Sequence, residues 1–330
     1  MNLYTDKGYL DMGAVLSAPY PVIIMVGARG LGKTYGTLLH YAGKEPFIYF
    51  RRTERILQLI TDPALHVFKK ICADTGREIR PEFSKGLGRF YEGDMLICYA
   101  AALSTFANVR GFDGSDMAAM IYDEFIPEPT ERITFNAYTA LLNAYETINR
   151  NREFDGKPPL KLVLLSNSDK IYSDIISGFG VGDKFLYMQE TGTEVLEHNK
   201  EVLLICPRAE EFAEKKAATA IYRAVGSGQF ADVALKNKFP IEDRTRIGEK
   251  PLSEYRPLAA IRGICIYRHK SNGQLYVTNH ISGAPKLYED SEADRRRYLR
   301  EFPYIWQLHQ RRRVYFSGVD VQTKFKSIYE

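Results

Sequence analysis

The 330-residue sequence predicts an α/β fold built around a mainly parallel sheet, and three observations carry that prediction. First, the apolar run Pro21-Val22-Ile23-Ile24-Met25-Val26 leads directly into Gly27-Ala28-Arg29-Gly30-Leu31-Gly32-Lys33-Thr34. Second, three further runs, Pro46–Arg52, Met117–Phe125 and Lys161–Asn167, also lack polar alternation and end in polar residues. That pattern suits strands covered on both faces, which parallel sheets require. Third, from Leu258 onward the texture changes to short alternating stretches separated by turn residues, the mark of a smaller β-rich region.

The first run ends in Gly-x-x-x-x-Gly-Lys-Thr, a phosphate-binding loop. Its glycines allow a tight turn whose N–H groups converge on a phosphate at the start of a helix, expected over Thr34–Tyr41. Lys33 would reach the β- and γ-phosphates, and the Thr34 hydroxyl would bind Mg²⁺. Pro46–Arg52 reads as the second strand, ending in two arginines where the chain leaves the sheet. A helix interrupted at Asp62-Pro63 spans Thr53–Thr75, and Arg89–Ala101 alternates around the hairpin signal Glu92-Gly93-Asp94.

Met117–Phe125 delivers Asp123 and Glu124 to the wet end of a strand. After a phosphate loop this order suits a metal-holding acid followed by an acid that polarises the attacking water. A helix over Phe135–Asn149 runs into Arg150. Lys161–Asn167 brings Ser166 and Asn167 to the carboxyl edge where ligands of open α/β sheets collect, either to sense the γ-phosphate or simply to turn the chain. Strands are expected at Phe185–Gln189 and Val202–Ile205, a helix-forming linker between Pro207 and Lys250, and a hairpin about Ser271-Asn272-Gly273. The domain plan is therefore 1–205, 206–250 and 251–330.

Charge is unevenly shared. Residues 1–205 hold 22 Lys and Arg against 26 Asp and Glu, whereas residues 206–330 hold 23 against 15. A basic C-terminal third points to a polyanion partner. Cys72, Cys98, Cys206 and Cys265 form no Cys-x-x-Cys pair, which argues against zinc or a disulfide framework and suits a reducing cytoplasm. No apolar run approaches the length of a membrane span, and nothing at the N-terminus resembles a secretion signal.

The loop Gly27–Thr34-Tyr35, Phe47-Ile48-Tyr49 with Arg51-Arg52, Tyr122-Asp123-Glu124-Phe125-Ile126, Arg150-Asn151-Arg152-Glu153 and Leu165-Ser166-Asn167 occur in this order and spacing. Together they resemble the DNA encapsidation proteins of short-tailed, protein-primed phages, terminase-like ATPases that package the genome into a procapsid. The resemblance implies an additional-strand, catalytic-glutamate ATPase fold, a helical linker and a C-terminal domain with a vestigial RNase H or nuclease-like fold. It further implies ATP and Mg²⁺ as ligands, with a homopentameric ring on the portal in the host cytoplasm, double-stranded DNA as cargo and a packaging RNA in some relatives. By position, Lys33 and Thr34 bind ATP and Mg²⁺, Asp123 is the metal-site acid, Glu124 is catalytic and Arg150 is an arginine finger acting on the neighbouring subunit. Arg110, in the loop 104–115, falls where the family has a pore-lining lysine. Glu54 and Pro127-Glu128 depart from the family's basic residues.

Gly318-Val319-Asp320 looks like the first acid of a nuclease strand, but only ten residues follow it, so the domain is expected to be catalytically empty. Arg295-Arg296-Arg297 and Arg311-Arg312-Arg313, interleaved with Tyr298, Tyr304 and Trp306, suit nucleic acid or an acidic portal surface. Three other readings share the phosphate loop: a nucleotide-switched binding module, a terminase with live nuclease activity, and a helicase.

Overall fold

The computed structural model describes residues 1–109, 112–128, 131, 135–167, 173–225 and 244–329. The chain divides into two compact units, Met1–Ile171 with Tyr187–Pro240, and Tyr172–Leu186 with Ile241–Glu330.

The first unit is a nine-stranded sheet with helices. Its strands are β1 (Val22–Val26), β2 (Phe47–Arg51), β3 (Ile79–Ser84), β4 (Leu87–Glu92), β5 (Met95–Ala102), β6 (Ala119–Asp123), β7 (Lys161–Ser166), β8 (Val195–His198) and β9 (Val202–Ile205). Their spatial order is β3-β4-β5-β2-β6-β7-β1-β9-β8. The six central strands run parallel, and β3, β4 and β8 are antiparallel additions at the edges. Strands β1, β2, β6 and β7 are buried along nearly their whole length, as their unbroken apolar composition requires. The expected runs thus occupy adjacent central positions, and β7 lies between the strand of the phosphate loop and the strand of the paired acids.

Helix α1 (Met12–Leu16) precedes β1, and α2 (Lys33–Tyr41) follows the phosphate loop. The broken helix of the sequence reading is α3 (Glu54–Ile60) and α4 (Lys69–Thr75). Helix α5 (Ala137–Asn149) begins under the Asn136 side chain, which accepts from Thr139 N at 2.9 Å. Then come α6 (Asp174–Phe179), α7 (Gly182–Thr191), α8 (Glu210–Ala217) and α9 (Ala220–Val225). The strand expected at Phe185–Gln189 is instead part of α7: Phe185, Leu186 and Met188 are buried, while Tyr187 between them is half-exposed. Strand β3 escapes the sequence reading because it carries Pro81 and exposed polar residues, which an edge strand tolerates.

The second unit contains a separate sheet of β10 (Tyr255–Ile261), β11 (Ile264–His269), β12 (Leu275–Thr278), β13 (Lys286–Leu287) and β14 (Val314–Phe316), in the order β13-β10-β11-β12-β14. Between β10 and β11 the chain turns at Arg262-Gly263, both with positive φ (51° and 70°), which makes a tight hairpin there. Helices Glu292–Glu301, Tyr304–Gln310 and Val319–Ser327 supply the rest of its core.

The plan 1–205, 206–250, 251–330 differs from the contact grouping: α6 packs on helix Val319–Ser327, so 172–186 belongs with the C-terminal unit, while α8 belongs with the first. Asp320 lies in the first turn of a helix, not on a strand. Moreover, Tyr298 is fully buried and Trp306 stacks on Tyr329 at 4.7 Å, so these aromatics build the core rather than a nucleic-acid face.

Candidate functional site

Because β2, β6, β7 and β1 are neighbours and parallel, their carboxyl ends form one row. Arg51 ends β2, Asp123 ends β6, Ser166 ends β7, and Gly27 follows β1. The sheet topology alone therefore gathers residues as far apart in the chain as Gly27 and Ser166.

The loop Gly27–Thr34 turns through Gly30 and Gly32, whose φ values of 90° and 87° a residue with a Cβ rarely adopts. At Gly27 the constraint is space, since a Cβ there would sit 2.7 Å from Pro207 Cγ. Lys33 is only 6% exposed. Its ammonium donates to Gly27 O at 2.9 Å, Ala28 O at 2.7 Å and Asn167 Oδ1 at 3.2 Å. The loop is buttressed from outside by α8: Lys216 Nζ donates to Arg29 O at 2.7 Å, and the Phe212 ring packs over Gly30. Arg29 itself pairs with Glu128 at 2.8 Å, so the acid that replaces a basic residue of the family lies against the loop.

Asp123 is buried and divides its oxygens. Its Oδ2 accepts from Thr34 Oγ1 at 2.8 Å and from the Tyr49 hydroxyl at 2.6 Å, while Oδ1 accepts from the Glu124 amide at 3.0 Å. Burial, reinforced by the Asp123 charge, holds the Tyr49 phenol well above its ordinary pKa, so it remains a donor. Glu124 sits past the end of β6 with φ 53°, a left-handed conformation that costs a non-glycine residue on the order of 1–3 kcal/mol. Its carboxylate forms an ion pair with Arg51. Partial burial raises the Glu124 carboxyl above its ordinary value, with Arg51 opposing the rise and Asp123 adding to it. Arg52 is almost fully buried, donates to Glu124 O at 2.5 Å and pairs with Glu131.

The structure thus brings together Gly27–Thr34, Asp123, Glu124, Ser166 and Asn167. Within this group the Ser166 hydroxyl accepts from Ile126 N at 3.2 Å, bracing the turn after Glu124. Arg150 is elsewhere. It terminates α5 with φ 48°, is half-exposed, and donates to Phe112 O at 3.0 Å with Asp113 at 3.6 Å. None of its contacts among the described residues is with the phosphate loop, Asp123 or Glu124. Arg110 lies outside the described residues.

Tyr49, Arg51 and Arg52 were visible as a strand end, yet no role was read for them. Their function depends on β2 lying beside β6, a pairing that nothing in the local sequence encodes. Two hard oxygen donors 2.8 Å apart, Thr34 Oγ1 and Asp123 Oδ2, suit a Mg²⁺ ion, and the glycine turn beside Lys33 suits a triphosphate.

A phosphate loop on a central strand, an added strand next to it and two acids on the strand beyond define an additional-strand P-loop fold of the nucleoside triphosphatase class. A family model narrows this: the Podovirus DNA encapsidation protein (Gp16) matches residues 6–286, and the chain belongs to that family. No curated protein matches it. Among solved structures it is similar to the phi-28 gp11 DNA packaging motor (17% identity, TM-score 0.63, covering 97% of this chain and 96% of that one). It is also similar to the bacteriophage phi-29 viral genome packaging motor assembly (16%, TM-score 0.60, 99% of each). The N-terminal domain of the DNA packaging ATPase from bacteriophage phi29 matches at 22% identity and TM-score 0.50, covering 62% of this chain and 98% of that one. At these identities the likeness bears on fold. No helix among the described residues is long and apolar enough to cross a membrane.

Proposed function

We propose that this DNA encapsidation protein is an ATP-hydrolysing double-stranded DNA translocase that works as a homo-oligomeric ring, pentameric as its resemblance implies, on the portal of a procapsid. The observation that carries the reading is the row of Lys33, Thr34, Asp123 and Glu124 at one sheet edge in a chain of this family. Lys33 would exchange its loop carbonyls for the β- and γ-phosphate oxygens of ATP, guided by the amides of Gly30–Thr34. Mg²⁺ held by Thr34 and Asp123 would neutralise charge on those oxygens.

Glu124 would orient and polarise the attacking water, and the burial that raises its carboxyl makes it a stronger base than an exposed glutamate. Arg51 engages its carboxylate in the described state, so turnover requires that this ion pair open. Arg150, having no role within its own site, is available to a neighbouring protomer, where a guanidinium on the γ-phosphoryl group accelerates transfer by roughly 10³–10⁵-fold in related chemistry. The basic C-terminal unit would meet DNA, a packaging RNA or the portal.

A packaging assay tests this reading. Purified procapsids, double-stranded DNA and the protein should yield nuclease-protected DNA only with ATP. ATP-independent protection, or none with the chain's own procapsid, would contradict it.

A further inference from the structure

Resting on the reading of Glu124 as the acid that activates water, the geometry points to Arg52 as a positioning residue for hydrolysis, acting through the main chain of Glu124 and not on substrate. Glu124 holds a left-handed backbone at φ 53° without being glycine, and such a conformation persists only where its surroundings impose it. Three restraints act on the amides of this turn: Glu124 N on Asp123 Oδ1 at 3.0 Å, Phe125 N on Leu165 O at 3.3 Å and Ile126 N on Ser166 Oγ at 3.2 Å. On the carbonyl side, Arg52 Nη2 donates to Glu124 O at 2.5 Å.

A guanidinium is suited to this task because its planar fork bonds two acceptors in fixed directions. One arm of Arg52 takes the carbonyl and the other takes Glu131, while the side chain is only 5% exposed. Desolvating a charged donor strengthens its bond to a neutral carbonyl. Consecutive residues thus hold the same acid in different ways: Arg51 grips its carboxylate, and Arg52 grips its backbone. The first contact must be released for turnover. The second holds the backbone from which the side chain leaves, fixed beside Asp123. An orientation error of an ångström at such a group costs about 100-fold in rate.

The test uses the full chain carrying Arg52→Lys or Arg52→Met, with three measurements: kcat for ATP hydrolysis, Kd for a fluorescent non-hydrolysable ATP analogue, and Tm. Lysine keeps the charge but cannot hold two divergent acceptors, so Arg52→Lys should lower kcat by about 10–100-fold while Kd changes by less than about 3-fold. A second arm reads the backbone without catalysis. Glu124→Gly should raise Tm in the wild-type background, because glycine is at ease at positive φ. It should raise it much less in Arg52→Lys, where the turn is free to relax. Should Arg52→Met fail to fold, the lysine variant carries both arms. Unchanged kcat in Arg52→Lys, a parallel loss of kcat, binding and Tm, or the same Glu124→Gly gain in both backgrounds would overturn the proposal. Full turnover by Glu124→Gln would instead remove the reading beneath it.

Discussion

The two sheets treat their charges in opposite ways. At the carboxyl edge of the nine-stranded sheet each buried or half-buried charge has a polar or opposite-charge partner: Lys33 with loop carbonyls, Asp123 with the Thr34 and Tyr49 hydroxyls, Glu124 with Arg51, and Arg52 with Glu131. In the C-terminal unit the partly buried acid Asp320 lies near another acid, Asp183, and its Oδ1 has no hydrogen-bond partner among the described residues. Its arginines are spread over the outside. The sheet-edge groups are cross-braced, because unpaired buried charge is costly, although Arg52 Nε has no partner among the described residues.

The outer cations are not equivalent. Arg295, Arg296 and Arg297 are paired with Glu292 and Asp294 of the same helix. Arg256 and Arg268, by contrast, lie directly opposite each other on β10 and β11, are exposed, and have no acidic partner among the described residues. Facing like charges destabilise a strand pair unless an anion intervenes. Of the two clusters the sequence points to, Arg295–Arg297 is paired along its helix, Arg311–Arg313 is exposed, and the hairpin adds the facing pair Arg256 and Arg268.

The largest effect expected from this contrast concerns Arg150. Standing outside the braced row, Arg150→Ala should leave ATP-analogue affinity nearly intact and reduce DNA-stimulated turnover by about 10³-fold. Mixing it with Glu124→Gln protein should restore part of the rate, because each partner supplies what the other lacks. No rescue in steady-state assays of the mixture would confine Arg150 to its own chain.

A smaller effect separates the two arginine groups. Replacing Arg256 and Arg268 by alanine should weaken binding to duplex DNA about 10-fold and lower the salt dependence by about two counterions, measured by fluorescence anisotropy over a salt series. The same change at Arg295 and Arg296 should have little effect. Equal losses would erase the distinction between paired and free cations.

The smallest effect is on stability. Burial, followed by repulsion from Asp183, pushes Asp320 from 3.8 up to about 6. A raised folded-state pKa favours the protonated native form, so its stabilising contribution is full below about pH 4 and is lost as pH rises through 6. Asp320→Asn removes that penalty and should raise Tm by a few degrees at pH 7.5, on the order of 2 kcal/mol, and by almost nothing at pH 4. His309, lowered to about 4 by burial and by Arg246 and Lys326, titrates in the opposite sense but is common to both proteins. Thermal scans at both pH values check the sign, and a loss at pH 7.5 would mean that the carboxylate has a partner.

Much of this was legible in the sequence where local pattern decides structure. Unalternated apolar runs marked the central strands, and the glycine spacing marked the loop. The acids and Asn167 were found because they end those strands. What escaped depends on which strands are neighbours. Arg51 and Arg52 gain meaning only beside β6, and the buttress from Phe212 and Lys216 only when α8 folds back on the loop. The helical stretch at Phe185 was misread because the short apolar run Phe185-Leu186-Tyr187-Met188 fits either period. Likewise Tyr298 and Trp306 looked available beside arginines, although helical spacing turns them inward.

The row Lys33–Thr34–Asp123–Glu124 is proposed to hydrolyse ATP. Single-turnover hydrolysis by Glu124→Gln, measured beside its Kd for ATP, tests it most directly. Binding within about 3-fold of the parent, with hydrolysis slowed by at least about 10²-fold, is the predicted result. Hydrolysis at the parental rate would contradict it.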